Sequence, residues 1–584
     1  MNLLLDPWMP VRLRNGGRDW ISPARLTDPD VVAFDADRPD FNGALAQFAI
    51  GLLQSATPVN SASEWRKCFK APPTADTLKA WFAPIEYAFV FDGDGARFMQ
   101  DRSLKGEEFS DICRLFIDSP GVSTEEKNKD HFVKRGRLDA LCPQCAALAL
   151  LTLQINAPSG GSGVRTGLRG GGPLTTLVWH VASASSSLWH GLWLNVRERD
   201  SFVALSGDSV TAGQHLRFPW LTNITEIQKT DGATAPAQVH PDHVFWAMPR
   251  RIRLDLEHVS NGPCDLCARP STGRVQRYVA RKHGLNYEGA WEHPLSPYYE
   301  GKEGWLPELM QPNGLGYRRW LTWVASAGVD AKRPRKRARV VAHALEHRGS
   351  QIGASLSLWA FGYDMDNMKA RCWYESRIPL YGLADCTHDE QRVVEVEIGQ
   401  YLAAAELAVY FLRSGVKDAW FGADARGDFS HIDASFWSAT EAAFYRQLET
   451  RIAATRDAQK FDRFVAAELW LTLLKQAVMK LFDEVFVGAG AIERQHPRRS
   501  AQARRKLLSG LHGSKLRESL GLPVTDAAAK KAKAVKAKKL TEVPTQIPTQ
   551  VPTQALPQAP VQDLVPVALP STDADGAQLS LELS

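Results

Sequence analysis

Hydrophobic and polar positions follow two different rules along this chain, and the change falls near residue 385. Before it, apolar runs are short and broken by Gly, Pro and Asp, as in residues 89–101 (FVFDGDGARFMQD), which alternate and then turn. Alternation over a few residues marks half-buried strands, so residues 1–384 read as a mixed α+β region with irregular loops. A hairpin is expected from residues 354–361, through a polar turn at 362–368, to 369–374. After 385, Val394, Ile398, Leu402, Ala405 and Val409 recur at helical spacing behind a Thr387-x-x-Glu390 capping box. Three further amphipathic stretches, at 435–455, 459–487 and 493–512, predict a four-helix bundle over 385–522. From 523 onward a lysine run and repeated Pro-Thr-Gln units hold too few large apolar residues to offset the entropy of ordering, so 523–584 reads as a disordered tail.

Length and composition fit this division. A chain of 584 residues suggests two to four domains at about 150 residues each. Its longest apolar runs fall short of the roughly 18 residues that would span a membrane. The start, MNLLLDPWMP, has no basic segment followed by a cleavage site, and eight cysteines in so long a chain fit a reducing compartment; a cytoplasmic location is expected. Charge adds more. Residues 494–539 carry 14 Lys or Arg against 2 acids in a chain of net charge +5, and Lys332–Arg339 is basic at every position except Pro334 and Ala338. Such patches suit a phosphate backbone, although a solvated basic surface would read the same way.

Four of the eight cysteines form two knuckles, Cys142-Pro-Gln-Cys145 and Cys264-Asp-Leu-Cys267, with 118 residues between them. Each Cys-x-x-Cys sets two sulfurs on one tight turn, and two such turns complete a tetrahedral thiolate set with no open position for chemistry. Structural Zn2+ is the expected cofactor. The separation is long for a zinc module, and a redox pair or two buried thiol pairs remain as alternatives.

Residues 158–173, PSGGSGVRTGLRGGGP, hold seven glycines and two arginines. The Gly-Lys-Ser/Thr ending of a phosphate loop is absent. What remains is backbone able to approach a ligand closely, with Arg165 and Arg169 near enough for phosphates. Catalytic candidates are sparse: His240-Pro-Asp-His243 and His388-Asp389 lack the further ligands of a metal centre and read as surface or capping residues. Asp92-Gly-Asp94-Gly begins like a calcium loop, but the acids that follow are wrongly spaced. Asn128–Arg135 is basic, aromatic and loop-like; Phe132 can stack on a base while Lys134 and Arg135 hold phosphates.

Taken in order, these segments resemble the large CasA-type subunit of the type I-E CRISPR Cascade, an RNA-guided surveillance complex. The resemblance covers most of residues 1–520. It rests on Asn2-Leu3-Leu4 with Asp6, Trp8, Pro10 and Val11, on both knuckles, and on Ala157-Pro158 with Gly167-Leu-Arg-Gly-Gly171 and Pro173. It rests also on His293-Pro294 with Ser296-Pro297, on Gly362-Tyr363 and on Phe444-Tyr-Arg-Gln447. It implies a non-catalytic subunit that recognises the protospacer-adjacent motif on double-stranded DNA, helps open the duplex and docks a helicase–nuclease. The implied partners are a guide RNA, target DNA, the other Cascade subunits and that effector.

The same resemblance places the motif reader on a glycine loop (Gly160, Gly161, Ser162, Gly163), on Lys282, and on a wedge at the hairpin tip. For the wedge, Asn367 is preferred over Asp366, because an aspartate facing DNA is unfavourable unless it meets a base amino group. Ser162 stands where the family often has another glycine. The segment holding Phe132, Lys134 and Arg135 is implied to touch the guide RNA handle. A zinc-dependent nuclease and a general RNA-binding scaffold are the competing readings.

Overall fold

In the computed structural model, residues 1–524 are described apart from 106–107, 131–134, 182–185, 205–215, 225–231, 303, 313, 326–333, 349–351, 353–355, 367, 422–426, 456–460 and 489–495. The part before 385 is built from small antiparallel sheets of two or three strands around two helices that are buried on nearly every side, with amphipathic helices outside them. Met9–Leu13 is the middle strand of the first sheet, between Arg18–Ile21 and Val31–Phe34. The opening residues brace themselves: the Asn2 side chain accepts from the Leu4 N–H at 2.9 Å, and the Trp8 indole donates to the Leu3 carbonyl at 2.8 Å.

Helices Pro39–Ala56 and Pro143–Asn156 pack on each other, and both are buried along most of their length. A helix apolar all round can be stable only inside a protein. Around Phe48 the core is aromatic, with Trp8 edge-on at 5.0 Å, Trp246 at 5.7 Å and Phe98 at 5.9 Å. Edge-to-face contacts of this kind match the ring quadrupoles.

The expected hairpin is present but longer. Leu356–Asp366 pairs with Lys369–Pro379 in a register that sets Asp366 opposite Lys369, so only residues 367 and 368 lie between the strands. The seven-residue turn expected from polarity is mostly strand, because Gly362, Tyr363 and Asp364 are buried and partnered: the Tyr363 hydroxyl donates to Asp40 at 2.6 Å, and Asp364 accepts from Arg371 at 2.7 Å. Thr175–His180 extends the sheet on the other side of Leu356–Asp366.

The change of texture near 385 marks the start of helix His388–Trp420, and its capping box forms as expected between Thr387 and Glu390. Helices Ser430–Ala453, Arg463–Lys480 and Pro497–Leu511 pack against it, completing four helices around Val394, Ile398, Leu402 and their neighbours. The third continues as a π-helical turn, Leu481–Phe486, and a short helix, Ser514–Ser519, follows the fourth. Arg499 donates to the Ala419 and Trp420 carbonyls at 2.9 Å each, satisfying the open end of the first helix. Packing continues across residue 385. Tyr317 stacks on Phe444 at 4.3 Å and shares a 2.8 Å hydrogen bond with Thr440, and Met1–Thr525 is one compact unit. The Lys-rich and Pro-Thr-Gln segment lies outside the described residues.

Candidate nucleic-acid interface and cysteine cluster

Cys142 caps helix Pro143–Asn156, and the Cys145 N–H donates to the Cys142 sulfur at 3.4 Å. The second knuckle sits at the end of the hairpin formed by Ser260–Pro263 and Pro270–Arg274. There Ala268 adopts φ +58° and its N–H donates to the Cys264 carbonyl at 2.9 Å. Backbone bonds join the knuckles: Leu141 and Val275 exchange hydrogen bonds at 2.9 and 2.7 Å, and Asp265 accepts from the Asp139 and Ala140 N–H groups. The four ligand sulfurs lie within 4.8 Å of one another, and Cys142 Sγ is 3.8 Å from Cys267 Sγ.

A tetrahedral cation holding thiolates at about 2.3 Å separates them by about 3.8 Å, so the residues fit such an ion. Three of the cysteines are buried and Cys267 is half-buried. Hydrogen bonds to the neighbouring sulfurs, with burial, push the Cys145 thiol up, while bonds from Cys142 and Cys145 pull Cys264 down. A set ionised throughout therefore needs a cation. Among the described residues this is the only cluster of three or more such side chains close enough to share an ion.

Two arms leave this cluster and meet again. Helix Pro143–Asn156 runs from the first knuckle into the glycine loop, and strands Pro270–Arg274 and Arg277–Arg281 run from the second to Lys282. Where they meet is a cleft of about 380 Å³ lined by Pro158, Gly163, Val164 and Arg165, by Lys282 and Gly284, and by Met368 from the hairpin tip. The structure thus brings together the glycine loop, the lysine and the tip, which are far apart in the sequence. Arg114, Arg250, Arg251 and Arg281 also line it, making six bases and no acid among the lining residues. Some are held from behind: Arg251 by Asp101 at 2.6 Å and Arg114 by Glu125 at 2.6 Å. Lys282 is exposed and has no partner among the described residues.

Gly160, Gly161 and Ser162 are exposed at the rim, and Gly163 is half-buried beside Lys282. Asp366 ends its strand, exposed, with its carboxylate 3.9 Å from Arg371. Asn367, Phe132 and Lys134 lie outside the described residues. Arg135 is bound within its own loop, to Asp130 at 2.6 Å and the Glu125 carbonyl at 2.6 Å.

Three expectations need correction. Arg169, expected at phosphates, is buried, with its guanidinium on Thr175 and Ser296 at 2.9 Å each and on Gln47. Only the first half of the glycine-rich segment faces outward; the second is folded into the core. The described bases of the basic knot are neutralised internally: Arg335 pairs with Glu308, Lys336 and Arg339 with Glu292, and buried Arg337 with Glu346 and Glu395, while Lys332 and Arg333 lie outside the described residues. His240 and His243 are buried rather than superficial, though His240 does act as a cap, its imidazole accepting from the Asp242 N–H at 3.1 Å. Between them Asp242 pairs with Arg199 at 2.6 Å and Arg217 at 2.7 Å, and burial pushes both histidines down to about 4. The sequence reading missed Arg114, Arg250, Arg251 and Arg281. Of these, Arg251-Ile-Arg-Leu254 had a usable signal, since it alternates as a strand with one basic face.

The sequence model of the CRISPR-associated protein Cse1 family matches residues 2–481. Among solved structures, Thermobifida fusca Cse1 is similar over 90% of this chain and 99% of its own, with a TM-score of 0.65 and 17% identity. Thermus thermophilus CasA is similar over 88% of this chain and 99% of its own, with a TM-score of 0.61 and 16% identity. A chain of a CRISPR RNA-guided surveillance complex covers 87% of this chain and 99% of its own, with a TM-score of 0.62 and 16% identity. At such identities the structural likeness speaks for the fold, but the family match spans most of the sequence. The chain belongs to the CRISPR-associated protein Cse1 family, the CasA-type family that its knuckles, glycine segment and hairpin resemble.

Proposed function

We propose that this chain is the large, non-catalytic subunit of an RNA-guided surveillance complex, and that its basic cleft recognises a short motif on duplex DNA beside the guide-paired target. The observation that carries this reading is the convergence of Gly163, Lys282 and Met368 on one cleft lined by six bases and no acid. A glycine-edged wall lets backbone lie close to a groove, and an exposed lysine donates to the O2 and N3 acceptors of the minor groove. That groove presents a degenerate pattern, so the reader would accept several related motifs. The long hairpin brings Met368 to the cleft, so a side chain at its end would part the first base pair, with new contacts offsetting the lost stacking. Sequence reading is left to the guide RNA, while the protein reads a short motif and duplex shape. Zn2+ on the four cysteines would serve as a staple at the root of both arms, adding its binding free energy to folding.

The test is duplex binding by the complex reconstituted with guide RNA, comparing targets that carry a permissive or an altered motif. Lys282→Ala should erase most of the difference between them. Equal discrimination by the variant would remove Lys282 from the site and overturn the reading of this cleft as the motif reader. Binding without motif preference in the unaltered complex, with a steep salt dependence, would instead indicate a general nucleic-acid scaffold.

A further inference from the structure

We infer that His283 sets the gap between the glycine loop and Lys282, and with it the stringency of the cleft; this rests on the reading of the cleft as a motif reader. His283 has φ +61°, in the left-handed region that few residues other than glycine adopt. Its N–H donates to the Gly163 carbonyl at 2.8 Å, tying one arm to the other. A methyl group at Gly163 would stand 2.9 and 3.0 Å from the imidazole Cε1 and Nε2, and 3.2 Å from Lys282 Cβ. The imidazole therefore occupies the room that the glycine leaves, and the two loops interlock ring against backbone. The ring Nδ1 is buried and has no hydrogen-bond partner among the described residues, so shape and the backbone bond hold the side chain in place.

The next residue closes a circuit. A side chain at Gly284 would meet the Pro249 carbonyl oxygen at 2.0 Å, so the backbone beyond His283 lies flat on Pro249 and Arg250. The Arg250 guanidinium in turn donates to the Pro158 carbonyl, where the glycine loop begins. Pro158, Arg250, Gly284, His283 and Gly163 thus form a ring of contacts around one wall of the cleft. His283 is a positioning residue in this arrangement, acting through Lys282 and Gly163. Strained backbone beside a binding group is stable only when the surroundings over-determine it, as they do here.

The experiment is a double-mutant cycle in the reconstituted complex, read as the ratio of affinities for permissive and altered motifs. His283→Gly keeps the left-handed backbone and its N–H bond but removes the ring. Gly163→Ala drives a methyl group into the ring. Each is expected to lower the ratio by roughly tenfold, since misplacing a positioned group by about 1 Å can cost as much as 100-fold. The double variant should lose less than the product of the two, because the clash with the ring is gone, although the left-handed backbone at Gly163 (φ +76°) and Lys282 Cβ at 3.2 Å still oppose the methyl group. A role confined to folding would lower the thermal midpoint and weaken both targets equally, leaving the ratio intact. His283→Asn, which tolerates the left-handed region, serves if the glycine variant does not fold. If Lys282→Ala abolishes discrimination while His283→Gly retains it, or if the two losses simply multiply, the inference is overturned and the cleft reading stands. If Lys282→Ala also discriminates normally, the cleft reading falls and takes this inference with it.

Discussion

Two basic regions of this protein look alike in composition and differ in what surrounds them. Arg335, Lys336, Arg337 and Arg339 lie in one dense sequence run, yet each faces an acid from elsewhere in the fold, and Arg337 reaches Glu395, which is itself buried. The cleft draws its bases from residues 114, 165, 250, 251, 281 and 282, which no sequence window would group. Arg114, Arg251 and Arg281 have acids behind them, Glu125, Asp101 and Glu108, but no acid lines the cleft itself. Clustering along the chain therefore reports little about where positive charge is free to act. The place of the acid decides it: bases buried against their acids are part of the structure, and bases whose acids stand outside the cleft keep an open side for a phosphate or a groove.

If this distinction holds, changes to paired or core groups should lower stability, and changes to the cleft should alter binding. The largest effect is expected where both arms are rooted. If Zn2+ fills the cysteine cluster, elemental analysis should find about one per chain in the parent protein, and Cys264→Ser should remove it and cost on the order of 4 kcal/mol or more in denaturant unfolding. Arg337→Ala should cost about 3–5 kcal/mol, because it breaks a buried ion pair with Glu395. Motif discrimination by the folded variant should be unchanged; a specific binding defect would break the comparison.

Acid should act on the same side. Burial holds His243 at about 4 when folded, below its ordinary value near 6.5, so the unfolded chain takes up the proton first. The contribution of this group is then complete above about pH 6.5, declines as the pH falls toward 4, and levels off below, with about 3 kcal/mol lost from His243. His243→Gln should make that part of the pH profile shallower, while His240, pushed down to about 4 as well, keeps its own share. Lys282→Ala belongs to the other class: its stability should remain within about 0.5 kcal/mol of the parent, while discrimination falls by about 1–3 kcal/mol. The smallest effect is expected for Arg281→Ala, which should lower the slope of log affinity against log salt by about 1.

The features legible in the sequence were those whose physics is local. The Thr387–Glu390 cap, the 3.6-residue spacing of Val394, Ile398 and Leu402, and the Cys-x-x-Cys turn within each knuckle depend on neighbours a few residues away. What tertiary contacts decide was not legible. Glycine permits close packing as readily as exposure, so composition gave no sign that Arg169 turns into the core while Arg165 lines the cleft. The polar look of residues 362–368 concealed a strand, because Tyr363 and Asp364 satisfy their polar atoms against Asp40 and Arg371. His283 gave no pattern at all: its importance lies in one backbone angle and one contact with a residue 120 positions earlier.

The spacing of the knuckles also has a consequence in time. With 118 residues between Cys145 and Cys264, a ribosome adding about 5–20 residues per second presents the first pair roughly 6–24 s before the second. For that interval the nascent chain carries half a site, two thiols that can bind a metal ion weakly or be oxidised, and the glycine loop has no opposite wall. Assembly of the cleft thus waits on synthesis of the second knuckle.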